Sequence, residues 1–161
     1  MDLRPVPGLV RKQFTARDVI ARWEVVEVRR RATSSAAAAF LETLPERLPF
    51  PIRALPVDGG PPAGGFAAVF EQAGPPRGLR RLVLPPRSPQ LHGHVERANR
   101  TPTEEFYEIT PCSLPIAPLH QELRDWERTY NTVRPHQALG YRTPQEFLTQ
   151  RASPSQLKEC H

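Results

Sequence analysis

Proline decides where this chain can be regular. Twenty of its 161 residues are proline, with clusters at 61–62, 75–76, 85–86 and 111–118. Each proline fixes φ and removes a backbone donor, so helix interiors and central strands do not pass through such clusters. The clusters read as loops, and regular structure must fit between them. At this length one domain can bury most of its surface in a single core.

The segments left between the clusters carry distinct periodicities. Phe14 to Arg22 and Trp23 to Arg30 are strand-like runs, and a turn near Ala21–Trp23 would pair them as a hairpin. Ser34 to Leu48 is Ala-rich with Leu41, Leu44 and Leu48 at helical spacing. Thr33 or Ser34 can cap it, and Pro45 is expected to end or bend it. Ile52 to Val57 reads as a strand, Phe66 to Ala73 as a short helix, and Leu79 to Leu84 as another strand. Ser88 to Phe106 reads as a helix interrupted by Pro102. Leu119 to Tyr130 is amphipathic, with Leu119, Leu123, Trp126 and Tyr130 on one stripe. Thr143-Pro144-Gln145-Glu146 is a capping box that opens a last short helix.

Two acids stand out from this frame. Asp58 ends an apolar run and is followed by Gly59-Gly60, which places a carboxylate at a strand's C-terminal tip. Asp-Gly is also a common turn dipeptide. Glu96 lies in the segment opened by Ser88-Pro89, a cap and first-turn pair. Glu96 shares a helical face with His92, Asn99 and Arg100. Two carboxylates on separate elements, with 37 residues between them in sequence, can converge on Mg²⁺ or Mn²⁺. His92 and His94 are two apart, and on a helix such residues do not share a face, which argues against a zinc pair.

The stretch Tyr130-Asn131-Thr132-Val133-Arg134-Pro135-His136-Gln137-Ala138-Leu139-Gly140-Tyr141-Arg142-Thr143-Pro144 resembles the YNxxRPHxxLGxxTP tail of bacterial insertion-sequence transposases. With Asp58 and Glu96, it makes the chain similar, from about Leu3 to Leu148, to the DDE integrase core of those transposases and of retroviral integrases. The resemblance implies an α/β, ribonuclease-H-like mixed sheet flanked by helices, with a shortened first strand. It implies that Asp58 and Glu96 are catalytic and hold Mg²⁺ (or Mn²⁺), with His92 as a neighbour behind Glu96. DNA is the implied partner, through transposon ends and target, and the intact family works as homo-oligomers. Arg97, Arg100 and Arg134 become candidate phosphate contacts; Arg134, Pro135 and His136 can equally hold the chain's hook after the preceding helix.

The chain also departs from the family pattern. The family's first catalytic Asp falls upstream of Met1, and Asp2 matches a later, non-catalytic position. The segment Pro61–Gly65 is about two residues longer than usual, and His92 replaces the usual Asn. Pro56 would remove a ladder donor from a strand expected to be central. These departures lead to the expectation of an N-terminally incomplete core (residues 1–150, with a flexible tail at 151–161) with impaired DNA cleavage and strand transfer. The alternative is a non-catalytic remnant that keeps residual, non-specific DNA binding.

Charge agrees with a nucleic-acid partner. The net charge is +5, and only Lys12 and Lys158 among 22 basic residues are lysine. Guanidinium grips phosphate bidentately, although a GC-rich genome also encodes Arg and Pro freely. Two cysteines make no disulfide framework, and Cys112 lies in a Pro-rich loop with no His partner to activate it. No apolar run reaches the roughly 20 residues of a membrane span, and no apolar stretch follows Met1-Asp2-Leu3-Arg4-Pro5 as in a signal peptide. A cytoplasmic protein with no membrane partner and no small-molecule cofactor is expected.

Overall fold

The computed structural model describes residues 2–6, 9–52, 54–57, 80–83, 97–98, 100–109 and 111–152. An antiparallel sheet is built from β1 (Asp2–Val6), β2 (Leu9–Arg17) and β3 (Glu24–Arg29), in that order. The β2–β3 hairpin pairs Lys12 with Arg29 and Arg17 with Glu24. Its turn is closed by Asp18, whose carboxylate accepts the Ile20 N–H at 3.0 Å while its own N–H donates to Trp23 O at 2.9 Å. The hairpin expected from the sequence is therefore present, with β2 starting five residues earlier than its apolar run. A short parallel pair, β4 (Ala54–Val57) and β5 (Arg80–Val83), sets Pro56 opposite Leu82. Among the described residues β4 pairs with β5 alone, so Pro56 does not have to donate to strands on both sides.

Helix α1 (Ser34–Arg47) starts where Thr33 Oγ1 accepts the Ala36 N–H at 3.1 Å. Pro45 does not end it. It stands two residues before the last helical residue and removes only the bond to residue 41, while the Leu48 N–H still reaches Leu44 O at 2.9 Å. Residues 97–98 and 100–102 are helical and run into a π-helical turn, Thr103–Tyr107. Pro102 therefore widens this helix rather than stopping it: the Glu108 N–H donates five residues back, to Thr103 O, at 3.0 Å. Helix α2 (Ile116–Thr132) begins three residues earlier than its apolar stripe. Pro118 is tolerated there because first-turn N–H groups have no intrahelical acceptor. Helix α3 (Pro144–Ala152) closes the described chain.

The core forms on both faces of β3. Val25 packs with Ala37, Phe40, Leu41 and Leu44 of α1 on one face. Val26 and Val28 pack with Phe106, Leu119 and Leu123 on the other. Alternation along β3 thus separates two buried faces rather than a buried face from a wet one. Even Glu24 and Glu27 are buried, each against an arginine: Glu24 with Arg17, and Glu27 with Arg47 at 3.4 Å. At roughly 25 cal/mol per Å² of apolar surface, full burial of each Leu, Val or Phe contributes about 1.5–3 kcal/mol. Replacing Leu44, which is fully buried, by Ala would cost about 2–5 kcal/mol.

Candidate functional site

Val57 and Val83 stand opposite each other at the C-terminal ends of the parallel pair, and Asp58 is the next residue after Val57. Carboxyl ends of parallel strands are where open α/β sheets place ligands. Asp58, His92 and Glu96 themselves lie outside the described residues, as do the helix expected at 66–73 and the residues 153–161. Glu96 immediately precedes the helical residues Arg97 and Ala98. Among the described residues no group of three His, Cys, Asp or Glu side chains is placed to hold a metal ion. The donor chemistry of two carboxylates suits a hard divalent cation.

The candidate phosphate contacts fall into two kinds. Arg97 is exposed, and its carbonyl accepts the Thr101 hydroxyl at 2.8 Å. Arg100 is 75 % exposed and pairs with Glu104 one turn on, at 2.7 Å. An exposed pair of that kind is worth about 0–1 kcal/mol, so a phosphate can displace the glutamate. Arg134 is different. One amino group binds Glu105, the other donates to His136 Nδ1 at 3.0 Å, and the guanidinium lies 5.2 Å from the centre of the Tyr130 ring. The structure gives it the holding role that the sequence also allowed.

The tail motif folds as a hook built on Tyr130. Its ring is buried, with Arg17 at 5.5 Å on the ring, Arg134 at 5.2 Å and the His136 ring edge-on at 4.6 Å. Two guanidinium contacts on one desolvated ring stabilise it by about 1–4 kcal/mol. His136 is neutral: burial pushes its pKa down to about 4, helped by the Arg134 charge. Its Nδ1 accepts from Arg134, and the opposite nitrogen faces Tyr130 O at 3.5 Å. The chain then reverses: the His136 N–H donates to Arg142 O and the Tyr141 N–H to His136 O, with Gly140 in the left-handed region at φ 64. Thr143 and Glu146 cap α3 reciprocally, at 2.8 and 3.1 Å, as the capping box requires.

One function of α2 was invisible in the sequence. The backbone groups of β3 that point away from β2 are met by side chains instead of a neighbouring strand. Asn131 accepts the Glu24 N–H at 2.9 Å and donates to Glu24 O at 2.8 Å. Glu127 accepts the Val26 N–H at 3.0 Å, and Arg47 donates to Val26 O at 2.9 Å. His120 donates to Val28 O. His120, Glu127 and Asn131 span eleven residues, roughly 16 Å of helix, against roughly 13 Å of strand from Val28 to Glu24. A helix aligned with the strand can therefore meet alternate backbone groups with one stripe of polar side chains. These side chains cover the edge, which removes a template for strand addition. Burial pushes the Glu127 carboxyl above its ordinary range, against the pull of Arg47. It pushes Glu24 up to about 7, against Arg17 and Tyr130. Both carboxyls are structural, and the same holds for the Cys112 thiol, which burial moves away from reactivity.

Comparison with known proteins adds a resemblance over part of the chain. Residues 77–144 match the family described as integrase core domain, a stretch that includes Glu96 and the hook but not Asp58. A protein of Escherichia coli (strain K12) assigned as transposase InsD for insertion element IS2E is 36 % identical over 66 residues, 41 % of this chain and 30 % of that protein. The fold is similar to a chain in the structure of the simian T-cell lymphotropic virus intasome in complex with PP2A regulatory subunit B56 gamma. That match has a TM-score of 0.69 and 20 % identity, over 97 % of this chain and 53 % of that one. This chain thus spans about a third to a half of the lengths of these relatives. Residues 77–144 resemble the integrase core family, and the fold resembles that of the intasome chain.

Proposed function

We propose that this chain is the catalytic-core portion of a DDE transposase, acting on DNA at the ends of an insertion element and at its target. Asp58 and Glu96 are the metal-holding carboxylates. With Mg²⁺ or Mn²⁺ bound, such a site activates water or a 3′-hydroxyl and stabilises the leaving oxygen of a phosphodiester. His92 supports Glu96 from behind, while Arg97 and Arg100 meet phosphates next to the reacting one. In-line transfer tolerates displacements of only a fraction of an ångström, so cleavage and strand transfer depend on how these carboxylates hold the metal.

The observation that carries the reading is the folded hook. Tyr130, Asn131, Arg134, His136, Gly140 and Thr143 each have a defined structural task, within the stretch that matches the integrase core family. The test is a nicking and strand-transfer assay on the element's own ends in Mg²⁺ or Mn²⁺. The chain is compared with a version extended upstream to restore the family's first Asp. Metal-dependent cleavage by the extended version, lost in Asp58→Ala and Glu96→Ala, supports the reading. An inactive extended version that still binds DNA would favour a non-catalytic remnant.

A further inference from the structure

An open groove of about 660 Å³ lies where three parts of the fold meet: the β2–β3 turn, the residues after α1, and α3. Ile20, Pro49, Phe50, Phe147 and Leu148 supply its apolar walls. A concavity of that size falls within the roughly 300–1,000 Å³ of ligand-binding pockets. None of these five residues is buried, and Ile20 is 58 % exposed. Val19 beside it is 48 % exposed. Two adjacent β-branched apolar residues in a turn depart from ordinary turn chemistry, which favours Gly, Asn, Asp and Ser.

The walls are fixed from behind. The Asp18 carboxylate accepts the Ile20 and Ala21 N–H groups, and the Arg22 N–H donates to Asp18 O at 3.1 Å, with Arg22 in the left-handed region at φ 60. This turn holds Val19 and Ile20 at the surface. Trp23 Nε1 donates to Arg47 O at 3.2 Å, which ties the end of α1 to the hairpin just before Pro49 and Phe50. The capping box fixes the start of α3, and Pro144 is the one buried residue of that helix. Phe147 and Leu148 are left half-buried along the groove.

The unspent charge at the groove is positive. Arg151 lines it, with its guanidinium 5.5 Å from the centre of the Phe147 ring, and Arg142 lies 5.9 Å from the same ring. Contact with a ring positions a guanidinium without neutralising it. Among the described residues no carboxylate pairs with either arginine. Asp18, the one acid among the described lining residues, is engaged by the N–H groups of its own turn.

We propose that this groove docks a short acidic segment of a partner protein, with one bulky apolar side chain held between Ile20, Phe50 and Phe147 and a neighbouring carboxylate on Arg151. Charge selects this occupant over a second copy of the chain, which brings the same net charge of +5. Duplex DNA offers phosphates to Arg151 but no apolar group to cover Ile20 and Phe50. Apolar walls would also strip water from phosphates without replacing it. A segment that is both acidic and apolar meets both halves of the groove. The surface is separate from the proposed metal role of Asp58 and Glu96, so the two readings stand or fall independently.

The experiment selects random peptides displayed on phage against the full chain, then measures labelled synthetic copies of the recovered peptides by fluorescence anisotropy. Recovered sequences should share an Asp or Glu within a few positions of a Leu, Ile, Phe or Trp. Ile20→Ser and Arg151→Gln should each weaken binding about tenfold, a common loss at an interface anchor. The Arg151→Gln effect should fade as salt rises, whereas the Ile20→Ser effect should persist. Arg128→Gln, at an exposed cation on α2, should bind as the wild type does. Ile20 and Arg151 are exposed, so urea midpoints should stay close to wild type. Recovery of no such sequence, or unchanged affinity in either groove variant, overturns the proposal. Displacement of the peptides by duplex DNA would make the groove a nucleic-acid surface and overturns it too. Self-association of the wild type in sedimentation runs, abolished by Ile20→Ser, would give the groove to a second copy and overturns it equally.

Discussion

Replacing Asn131 by Ala should be among the most damaging single changes in this chain, although Asn131 touches no expected site residue. Its side chain makes two buried hydrogen bonds, at 2.9 and 2.8 Å, to the N–H and C=O of Glu24, 107 residues away. Glu24 is fully buried in β3, so water cannot take over either bond. Each orphaned backbone group costs about 1–3 kcal/mol, which gives roughly 2–6 kcal/mol for the pair. That is a large part of the 5–15 kcal/mol typical of a whole domain. It corresponds to a fall in melting temperature of roughly 5–20 °C at this chain length. Asn131→Asp should be no better than Ala. It keeps an acceptor for the Glu24 N–H but loses the donor to Glu24 O, and it adds a second buried acid beside Glu24. Gln121→Ala, at an exposed position on the same helix, should stay within about 0.5 kcal/mol. Urea denaturation followed by circular dichroism reads all three. A loss below about 1 kcal/mol in Asn131→Ala would refute the edge-capping reasoning.

Further outcomes follow from the same contacts. Glu24 and His136 should oppose each other in the pH dependence of stability. The folded pKa of His136 is lowered to about 4, so its contribution is complete above pH 6.5 and is lost as pH falls toward 4. Glu24 is raised to about 7, so its contribution is complete below pH 4.5 and is lost as pH rises through 7. The wild type should therefore have a nearly flat profile between pH 4.5 and 6.5. Glu24→Gln should expose a loss on acidification of at most about 3 kcal/mol, and His136→Asn should expose the reverse slope; parallel profiles in all three proteins would contradict the assignment. Thr143→Ala removes the cap of α3 and should cost about 1 kcal/mol by the same urea assay, whereas no change would show the capping box to be idle. DNA binding should be weak, sequence-tolerant and steeply salt-sensitive in fluorescence titrations of duplex DNA. Arg97→Ala and Arg100→Ala should lower the salt slope by about one each, and an affinity indifferent to salt would count against the phosphate contacts.

Much of the fold was legible because periodicity and caps are local. The β2–β3 hairpin, α1 behind Thr33, the stripe of α2 and the Thr143 capping box all depend on residues within a few positions of one another. The prolines were the harder letters. Pro118 falls in a first turn, where a lost donor costs little, Pro45 removes a single bond just before its helix ends, and Pro102 is absorbed by a π-turn, so none of them stops its helix. The hook was legible as a string but not as a mechanism. Asn131 and Arg47 act on β3, and Arg134 acts on Glu105, across separations that no spacing rule encodes. Residue type alone does not reveal burial either: Glu24 and Glu27 are buried and Glu127 half-buried, and all three serve the sheet. Of the candidate site, Arg97, Arg100 and Arg134 could be placed, while Asp58, His92 and Glu96 remain sequence assignments.

The central claim is that Asp58 and Glu96 share a divalent cation. Anomalous diffraction from crystals of the chain grown with Mn²⁺ tests it most directly. The account predicts one anomalous peak within about 2.1–2.2 Å of a carboxylate oxygen of each residue, the peak disappearing in Glu96→Gln. Carboxylates more than about 10 Å apart, or a peak that leaves either of them out, would contradict it.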